Sequence, residues 1–229
     1  MNSQLERSLL LYGEEGITKL KNSHVAVFGL GGVGCYVVEA FARSGIGEIT
    51  IVDFDVYEKS NLNRQLYATT ETIGVKKTVA TANRIKLIAP NVKINVIDAM
   101  VVEETASQID FSKFDYVVDA IDNVSGKVGI ISECKRNNVN VISIMGTGNK
   151  TEPTSFKVED ISKTKVCPLC KAVRKQLKDR QIENVKVVYS EEAPKVSGKT
   201  VSSNSFIPAI AGLIASGTAI NDLIYKENL

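Results

Sequence analysis

Gly29-Leu30-Gly31-Gly32-Val33-Gly34 puts glycines where a chain must turn tightly around an anion. Lacking a Cβ, Gly29, Gly31, Gly32 and Gly34 let the backbone approach a polyphosphate, and a helix starting right after them aims its free amides and positive dipole end at the charge. Asp53 closes the next strand-like run about 20 residues on, the separation expected of a carboxylate that receives a ribose hydroxyl. Taken alone, the turn suits NAD(P) as well as another nucleotide.

The loop beyond Asp53 narrows the choice. It reads Asp53-Phe54-Asp55, then Ser60-Asn61-Leu62-Asn63-Arg64-Gln65. A dinucleotide site needs one acid for its ribose and has no use for an amide and a guanidinium in the same loop, whereas a triphosphate does. Arg64 presents a planar fork of donors and Asn61 a neutral amide. The same two residues also suit a turn and a solvated surface charge. Gly74-Val75-Lys76-Lys77 opens another helix with two cations at the end where the dipole disfavours them, which suggests a tethered anion or a solvated basic turn. After Tyr116-Val117-Val118 comes Asp119-Ala120-Ile121-Asp122-Asn123. There Asp122 can take the Mg²⁺ that metal-bound phosphates require, or cap the helix that follows.

The elements that must position these residues alternate. Strand-like runs at 24–28, 48–53, 93–98, 115–119 and 139–144 are separated by helix-compatible segments at 32–44, 75–89, 102–109 and 125–137. The alternation predicts an α/β fold: a doubly wound, Rossmann-like, mainly parallel sheet with helices on both faces. Loops 29–34, 53–65, 120–123 and 146–149 should then share one edge. The expected organisation is one domain over 1–229, with a nucleotide-binding core at about 20–150 and a C-terminal extension at about 151–229. No internal repeat is visible, and the most irregular stretch is about 190–205.

Composition excludes several classes. With 229 residues, 44% of them hydrophobic, the chain can bury a full core. A net charge of +2 excludes a global polycation, so any nucleic acid must meet a local patch. Lys171, Arg174, Lys175, Lys178 and Arg180 recur at helical spacing and suit either such a patch or a solvated face. Four cysteines make no secreted disulfide framework and point to a reducing cytoplasm. Leu9-Leu10-Leu11 is too short for a signal-peptide core, and no transmembrane segment is expected. The charge-free run Phe206 to Ile220 contains Pro208, Gly212 and Gly217 and reads as a buried or dimer-interface helix. The single histidine, His24, begins a core strand and reads as structural.

In this order, GLGGVG, DFD, SNLNRQ, GxxK and DAIDN resemble the ubiquitin-activating-like adenylyltransferase superfamily. The resemblance implies that Asp53 holds the ATP ribose, that Asn61, Arg64 and Lys77 hold its phosphates, and that Asp122 coordinates Mg²⁺. Arg7, in Leu5-Glu6-Arg7-Ser8, is similar to an arginine that reaches across a homodimer to the partner's ATP. Arg7, Arg64, Lys77 and Asp122 are thus the catalytic candidates. Asp55, Gln65 and Asn123 lie in the same motifs and join the glycines, Asp53 and Asn61 as nucleotide-binding candidates.

Within the superfamily the chain resembles, over nearly its whole length, the bacterial tRNA threonylcarbamoyladenosine dehydratases. The resemblance runs through Arg43-Ser44-Gly45-Ile46-Gly47, Asp119-Ala120-Ile121-Asp122, Lys165-Val166-Cys167-Pro168-Leu169 and Val188-Tyr189-Ser190-Glu191-Glu192. It implies that ATP activates the threonyl carboxylate of threonylcarbamoyladenosine as an acyl-adenylate, and that an internal ureido atom displaces AMP with net loss of water. The implied partners are tRNA carrying threonylcarbamoyladenosine, a second copy in a homodimer, and sulfur-transfer proteins. The alternatives are adenylation of the C-terminus of a small ubiquitin-like sulfur-carrier protein and an NAD(P)-dependent oxidoreductase. Sulfur-carrier adenylyltransferases commonly bind zinc through two C-x-x-C pairs, and this chain has only Cys167-x-x-Cys170, with Cys35 and Cys134 in nucleotide-domain helices. No intrachain tetrathiolate zinc is expected. The pair reads as mainly structural, with redox chemistry or a shared metal as the other reading. The segment 193–204 is short by comparison with the dehydratases.

Overall fold

Apolar residues at alternate positions of short β-branched runs can face two different layers, and the chain uses this throughout its sheet. The computed structural model describes residues 3–196 and 201–225. Met1 and Asn2 of the N-terminal stretch, and 197–200 of the short 193–204 segment, lie outside the described residues. The chain runs α1 (Glu6–Asn22), β1 (His24–Phe28), α2 (Gly34–Ser44), β2 (Glu48–Val52), α3 (Lys77–Ile88), β3 (Lys93–Ile97) and α4 (Glu103–Ala106). It continues through β4 (Tyr116–Asp119), α5 (Val124–Arg136), β5 (Asn140–Ile144), β6 (Phe156–Asp160), α6 (Pro168–Asp179), β7 (Lys186–Ser190) and α7 (Ile207–Tyr225).

The seven strands form one sheet in the order β3-β2-β1-β4-β5-β7-β6, parallel except for β6, which runs antiparallel to β7. The expected doubly wound sheet is present. Residues beyond 151 extend it with β6 and β7, two strands the sequence reading did not place. Their pairing is non-local, with β7 against β5 and Val158 opposite Val188.

Along β1, Val25 and Val27 enter one core cluster with residues of α2 and α7, while Ala26 and Phe28 enter another with residues of α5 and α6. Val117 and Val118 of β4, and Val141 and Ile142 of β5, divide in the same way. The two clusters are the two faces of the sheet, each sealed by helices. Each fully buried Val, Ile or Phe contributes about 1.5–3 kcal/mol, so the alternation fixes strand register as well as layer. Helix α7 is long and apolar enough to cross a membrane by length and composition. Here it packs into the protein: a Cβ on Gly212 would stand 2.5 Å from the Val33 carbonyl oxygen, so α7 lies almost on the backbone that leads into α2.

The chain passes from β1 outward to β2 and β3, then crosses back to β4 on the other side of β1. Loops leaving the carboxyl ends of β1 and β4 diverge at that switch point, which opens a crevice there.

Candidate active site

The crevice is a cavity of about 640 Å³, a size suited to a nucleotide. Gly29 leaves β1 with φ +88°, and a Cβ on it would stand 2.9 Å from the Ala120 carbonyl oxygen. Only glycine meets both demands. A Cβ on Gly34 would lie 1.7 Å from the Gly29 carbonyl oxygen, so Gly34 closes the turn on itself. Gly29, Gly31 and Gly32 line the cavity, whereas Gly34 is buried as the first residue of α2. Of the four glycines grouped by motif, Gly34 therefore acts through packing.

Asp53 holds the turn against the next loop. Its Oδ2 accepts the Leu30 N–H at 2.6 Å and its Oδ1 the Asp55 N–H at 2.8 Å. Both oxygens keep lone-pair capacity for a ligand hydroxyl. Lys77 reaches the same loop, its side chain only 8% exposed, and donates to Asp55 Oδ2 at 2.9 Å. Lys76 pairs with Asp98 at the surface. In this structure, then, the anions beside the two lysines are carboxylates.

Asn61 is buried in a short 3₁₀ turn, its Oδ1 accepting the Glu58 N–H at 3.1 Å. Arg64 Nη1 donates to the Ser60 carbonyl and to Asn63 Oδ1, each at 2.8 Å. Its Nη2 and Nε have no acceptor among the described residues, and the side chain lines the cavity. Gln65, buried beside Gly31, has an Oε1 with no hydrogen-bond partner among the described residues. A buried polar atom left unpaired costs free energy, and a bound ligand in this cavity could satisfy it.

On the β4 side, Asn123 caps α5: its Oδ1 accepts the Gly126 N–H at 2.6 Å, and its Nδ2 donates to the Val101 carbonyl at 3.3 Å. Asn123, a nucleotide-binding candidate by motif, is thus engaged in holding the loop. Asp122 is exposed in the cavity wall and makes no hydrogen bond or ion pair among the described residues. An uncommitted carboxylate beside a phosphate-sized crevice suits Mg²⁺, which is usually held by one or two carboxylates together with substrate phosphates.

Beneath this loop the structure shows a residue the sequence reading missed. Lys127 and Asp119 are both fully buried and paired at 3.1 Å. The Lys127 Nζ also donates to the Ile144 carbonyl at 2.7 Å and to Ser143 Oγ at 3.3 Å. The Asp119 Oδ1 accepts the Ile121 N–H at 3.2 Å. The knot joins β4, β5 and α5, with Asp119 and Lys127 on either side of the loop that carries Asp122. Only the spacing of Asp119 and Lys127 across one turn-and-helix hinted at it.

The β5 end of the cavity is walled by Gly146, Asn149 and Cys167, with Pro194, Val201 and Ser203 against them. Asn149 ties these together: its N–H donates to the Ser202 carbonyl, its carbonyl accepts the Lys195 N–H, and its Oδ1 accepts the Ser202 N–H at 2.8 Å.

Arg7 does not reach this cavity. It is exposed on α1, two residues from Leu5, whose Cδ1 lies 2.7 Å from where a Cβ on Gly45 would stand. Gly45 caps the C-terminal end of α2, while the glycine turn is at its N-terminal end, roughly 16 Å away at 1.5 Å per residue. His24 is half-buried on β1, and desolvation holds its pKa below the usual histidine value. Its Nε2 lies 2.8 Å from Thr50 Oγ1, away from the cavity.

The family model for ThiF matches residues 4–224. A protein of Bacillus subtilis named tRNA threonylcarbamoyladenosine dehydratase is 40% identical over 243 residues, covering 98% of this chain and 96% of that protein. Its namesake in Haemophilus influenzae is 46% identical over 168 residues, 73% of this chain and 64% of that protein. The crystal structure of the Escherichia coli tRNA N6-threonylcarbamoyladenosine dehydratase in complex with ATP superposes with a TM-score of 0.90 at 32% identity, covering 97% of this chain and 94% of that one.

Proposed function

This chain belongs to the ThiF family, and we propose that it catalyses the ATP-dependent, cyclising dehydration of threonylcarbamoyladenosine in tRNA. The observation that carries the proposal is that Gly29, Gly31 and Gly32 of the turn, Asp53, Asn61, Arg64, Lys77 and Asp122 line one cavity together. The near full-length match to the B. subtilis dehydratase supports the choice of substrate.

In this reading the threonyl carboxylate attacks the α-phosphate of ATP, forming the acyl-adenylate as pyrophosphate leaves. An internal ureido atom then attacks the acyl carbon, the ring closes, and AMP departs with the carboxylate oxygen. Asp53 orients the ribose, and Arg64 and Lys77 stabilise the charge that develops on the departing pyrophosphate. Mg²⁺, held by Asp122, would neutralise phosphate charge. Asn149, Pro194, Val201 and Ser203, which line the cavity, exclude water that would hydrolyse the adenylate. Arg7 completes the ATP site of the partner in a homodimer. The exposed Leu10 and Leu11 beside it on α1, 84% and 71% accessible, supply an apolar surface for such a contact.

The tRNA docks on α6, whose exposed Lys171, Lys175 and Lys178 line a groove that begins at Pro168, a residue also in the cavity wall. Arg174 and Arg180 have other partners. Arg174 donates to the Thr164 carbonyl at 2.8 Å, and Arg180 makes a two-pronged pair with Glu103 at 2.9 Å. Four free thiols agree with work in the cytoplasm.

The deciding experiment incubates the protein with Mg-ATP and tRNA bearing the modification, then weighs the digested nucleosides. Loss of one water from threonylcarbamoyladenosine, matched by AMP release, is the expected result. AMP release coupled instead to adenylation of a small protein's C-terminus would establish the sulfur-carrier alternative.

A further inference from the structure

The proposed chemistry leaves Cys167-Pro168-Leu169-Cys170 unused. Cys167 is the N-cap of α6, Pro168 sets the first turn, and Cys170 follows three residues on, both thiols buried and free. The two cysteines form a Cys-x-x-Cys at the start of a helix with their sulfurs as neighbours, the placement from which such a pair closes into a disulfide.

The Cys170 thiol neighbours the Cys167 sulfur, and Gly146 packs on the same sulfur, which would stand 3.6 Å from a Cβ placed on that glycine. The neighbouring Cys170 thiol outweighs burial and holds the Cys167 thiol below the usual range. Its role as donor to Cys167, together with burial, pushes Cys170 up. A stabilised thiolate beside a neutral thiol is the pairing needed for an attacking and a resolving cysteine. Cys35 and Cys134 differ: burial pushes Cys35 up to about 12 and Cys134 up as well. Access to Cys167 is through the nucleotide cavity, whose wall it forms with Gly146 and Leu169. It sits at the β5 end, two strand spacings or about 10 Å from the glycine turn after β1.

We propose that Cys167 and Cys170 are a redox-active dithiol built into the cavity wall, oxidised by a small peroxide when the cavity is open and shielded when nucleotide fills it. The Cys167 thiolate attacks hydrogen peroxide: an S–O bond forms, the O–O bond breaks, hydroxide leaves, and the sulfur loses two electrons to become a sulfenic acid. The Cys170 sulfur then attacks Cys167. The S–S bond forms, the S–O bond breaks, and the departing hydroxide takes the Cys170 proton as water. A dithiol reductant reverses the process, becoming a disulfide itself. Oxidation converts the Cys167 thiol beside Gly146 in the cavity wall into a disulfide, so by linkage nucleotide and disulfide oppose each other. The shielding rests on the nucleotide site proposed above; the dithiol does not.

The test uses the whole protein, reduced and freed of reductant, treated with equimolar hydrogen peroxide with and without Mg-ATP, then denatured, alkylated and digested. The expected product is a Cys167–Cys170 disulfide while Cys35 and Cys134 remain alkylatable. Cys170→Ser should stop at a Cys167 sulfenic acid captured by a dione probe. At ten times its Kd, Mg-ATP leaves about one cavity in eleven open and should slow disulfide formation roughly tenfold. Reaction of all four cysteines at one rate, or oxidation of Cys35 and Cys134 first, overturns the dithiol. Equal rates with and without Mg-ATP, while Mg-ATP still raises the Tm, overturn the shielding and leave the nucleotide site standing. No rise in Tm with Mg-ATP overturns the nucleotide site and the shielding with it, and the peroxide reaction alone then decides the dithiol.

Discussion

Lys77 reaches the cavity with its side chain almost wholly buried, while the carboxylate it meets, Asp55, is half exposed. Lys77→Ala therefore leaves Asp55 able to hydrate, and the fold should survive. Asp122→Ala removes a carboxylate with no partner among the described residues, so it too should spare the fold. Each loses a charge-stabilising contact, and AMP release should fall by about 10²–10³ with the Tm little changed. Near-native turnover in either variant removes that residue from the mechanism. Lys127 is the opposite case, a buried cation that supports the site without lining it. Lys127→Met leaves the Asp119 carboxylate buried and unpaired and should cost about 3–5 kcal/mol in urea unfolding. Adding Asp119→Asn removes the stranded charge and should recover much of that loss. If Lys127→Met costs no more than a surface substitution, the knot does not support the loop. The motif made Asp119 and Asp122 legible as two acids, but not which one stays free. That division depends on Ser143 and the Ile144 carbonyl, residues of another strand that happen to meet Lys127.

Between elements, Glu39 fastens α2 to α3. Its carboxylate accepts from Arg43 Nη2 at 2.6 Å and from Arg84 Nη2 at 3.0 Å. Burial opposes its ionisation, but the bonds to Arg84 and Arg43 outweigh that and hold its pKa below the usual glutamate value. Since the folded state binds this proton more weakly than the unfolded state, the contribution is complete above the unfolded value of about 4.5 and is lost as pH falls through the lower folded value. Glu39→Gln should thus cost about 1 kcal/mol at pH 7 and nothing near pH 2, a convergence that paired urea titrations can show. A constant difference at both pH values would mean that packing, not charge, fastens the helices. Helix α6 carries its charge outward. Replacing Lys171, Lys175 and Lys178 together with alanine should raise the KM for tRNA, leave kcat nearly unchanged, and reduce the slope of log affinity against log salt by about 2–3. An unchanged salt slope would move the RNA surface elsewhere. The helical spacing of these basic residues was readable in the sequence. That Arg174 turns inward to the Thr164 carbonyl was not, because the acceptor lies on the preceding loop.

For the whole molecule, the sequence-based boundaries of the first five strands lie within a residue of the observed ones, because each is a short buried run with turn residues at its ends. The two added strands escaped notice since β6 is an edge strand of alternating Lys157, Val158 and Glu159, and only its pairing with β7 identifies it. The candidate nucleotide residues were legible for a related reason: parallel βα units deliver successive loops to one edge whatever their distance in sequence. Arg7 is the exception, since motif resemblance grouped it with the site and the fold places it near the far end of α2. A second copy resolves that separation if α1 of one subunit lies over the cavity of the other. Arg7→Ala and Lys77→Ala should then each be inactive alone, for different reasons. The Arg7→Ala subunit keeps a sound cavity but lends its partner no guanidinium, and the Lys77→Ala subunit lends Arg7 but cannot use its own cavity. On random exchange half the dimers are mixed, and each holds one intact composite site, so activity should return to about a quarter of the native level. Sedimentation must show a dimer, and mass-tagged subunits must show that exchange occurred. Inactivity after verified exchange, or full activity in a monomer, would place Arg7 outside the mechanism and leave the cavity to work with the residues of one chain.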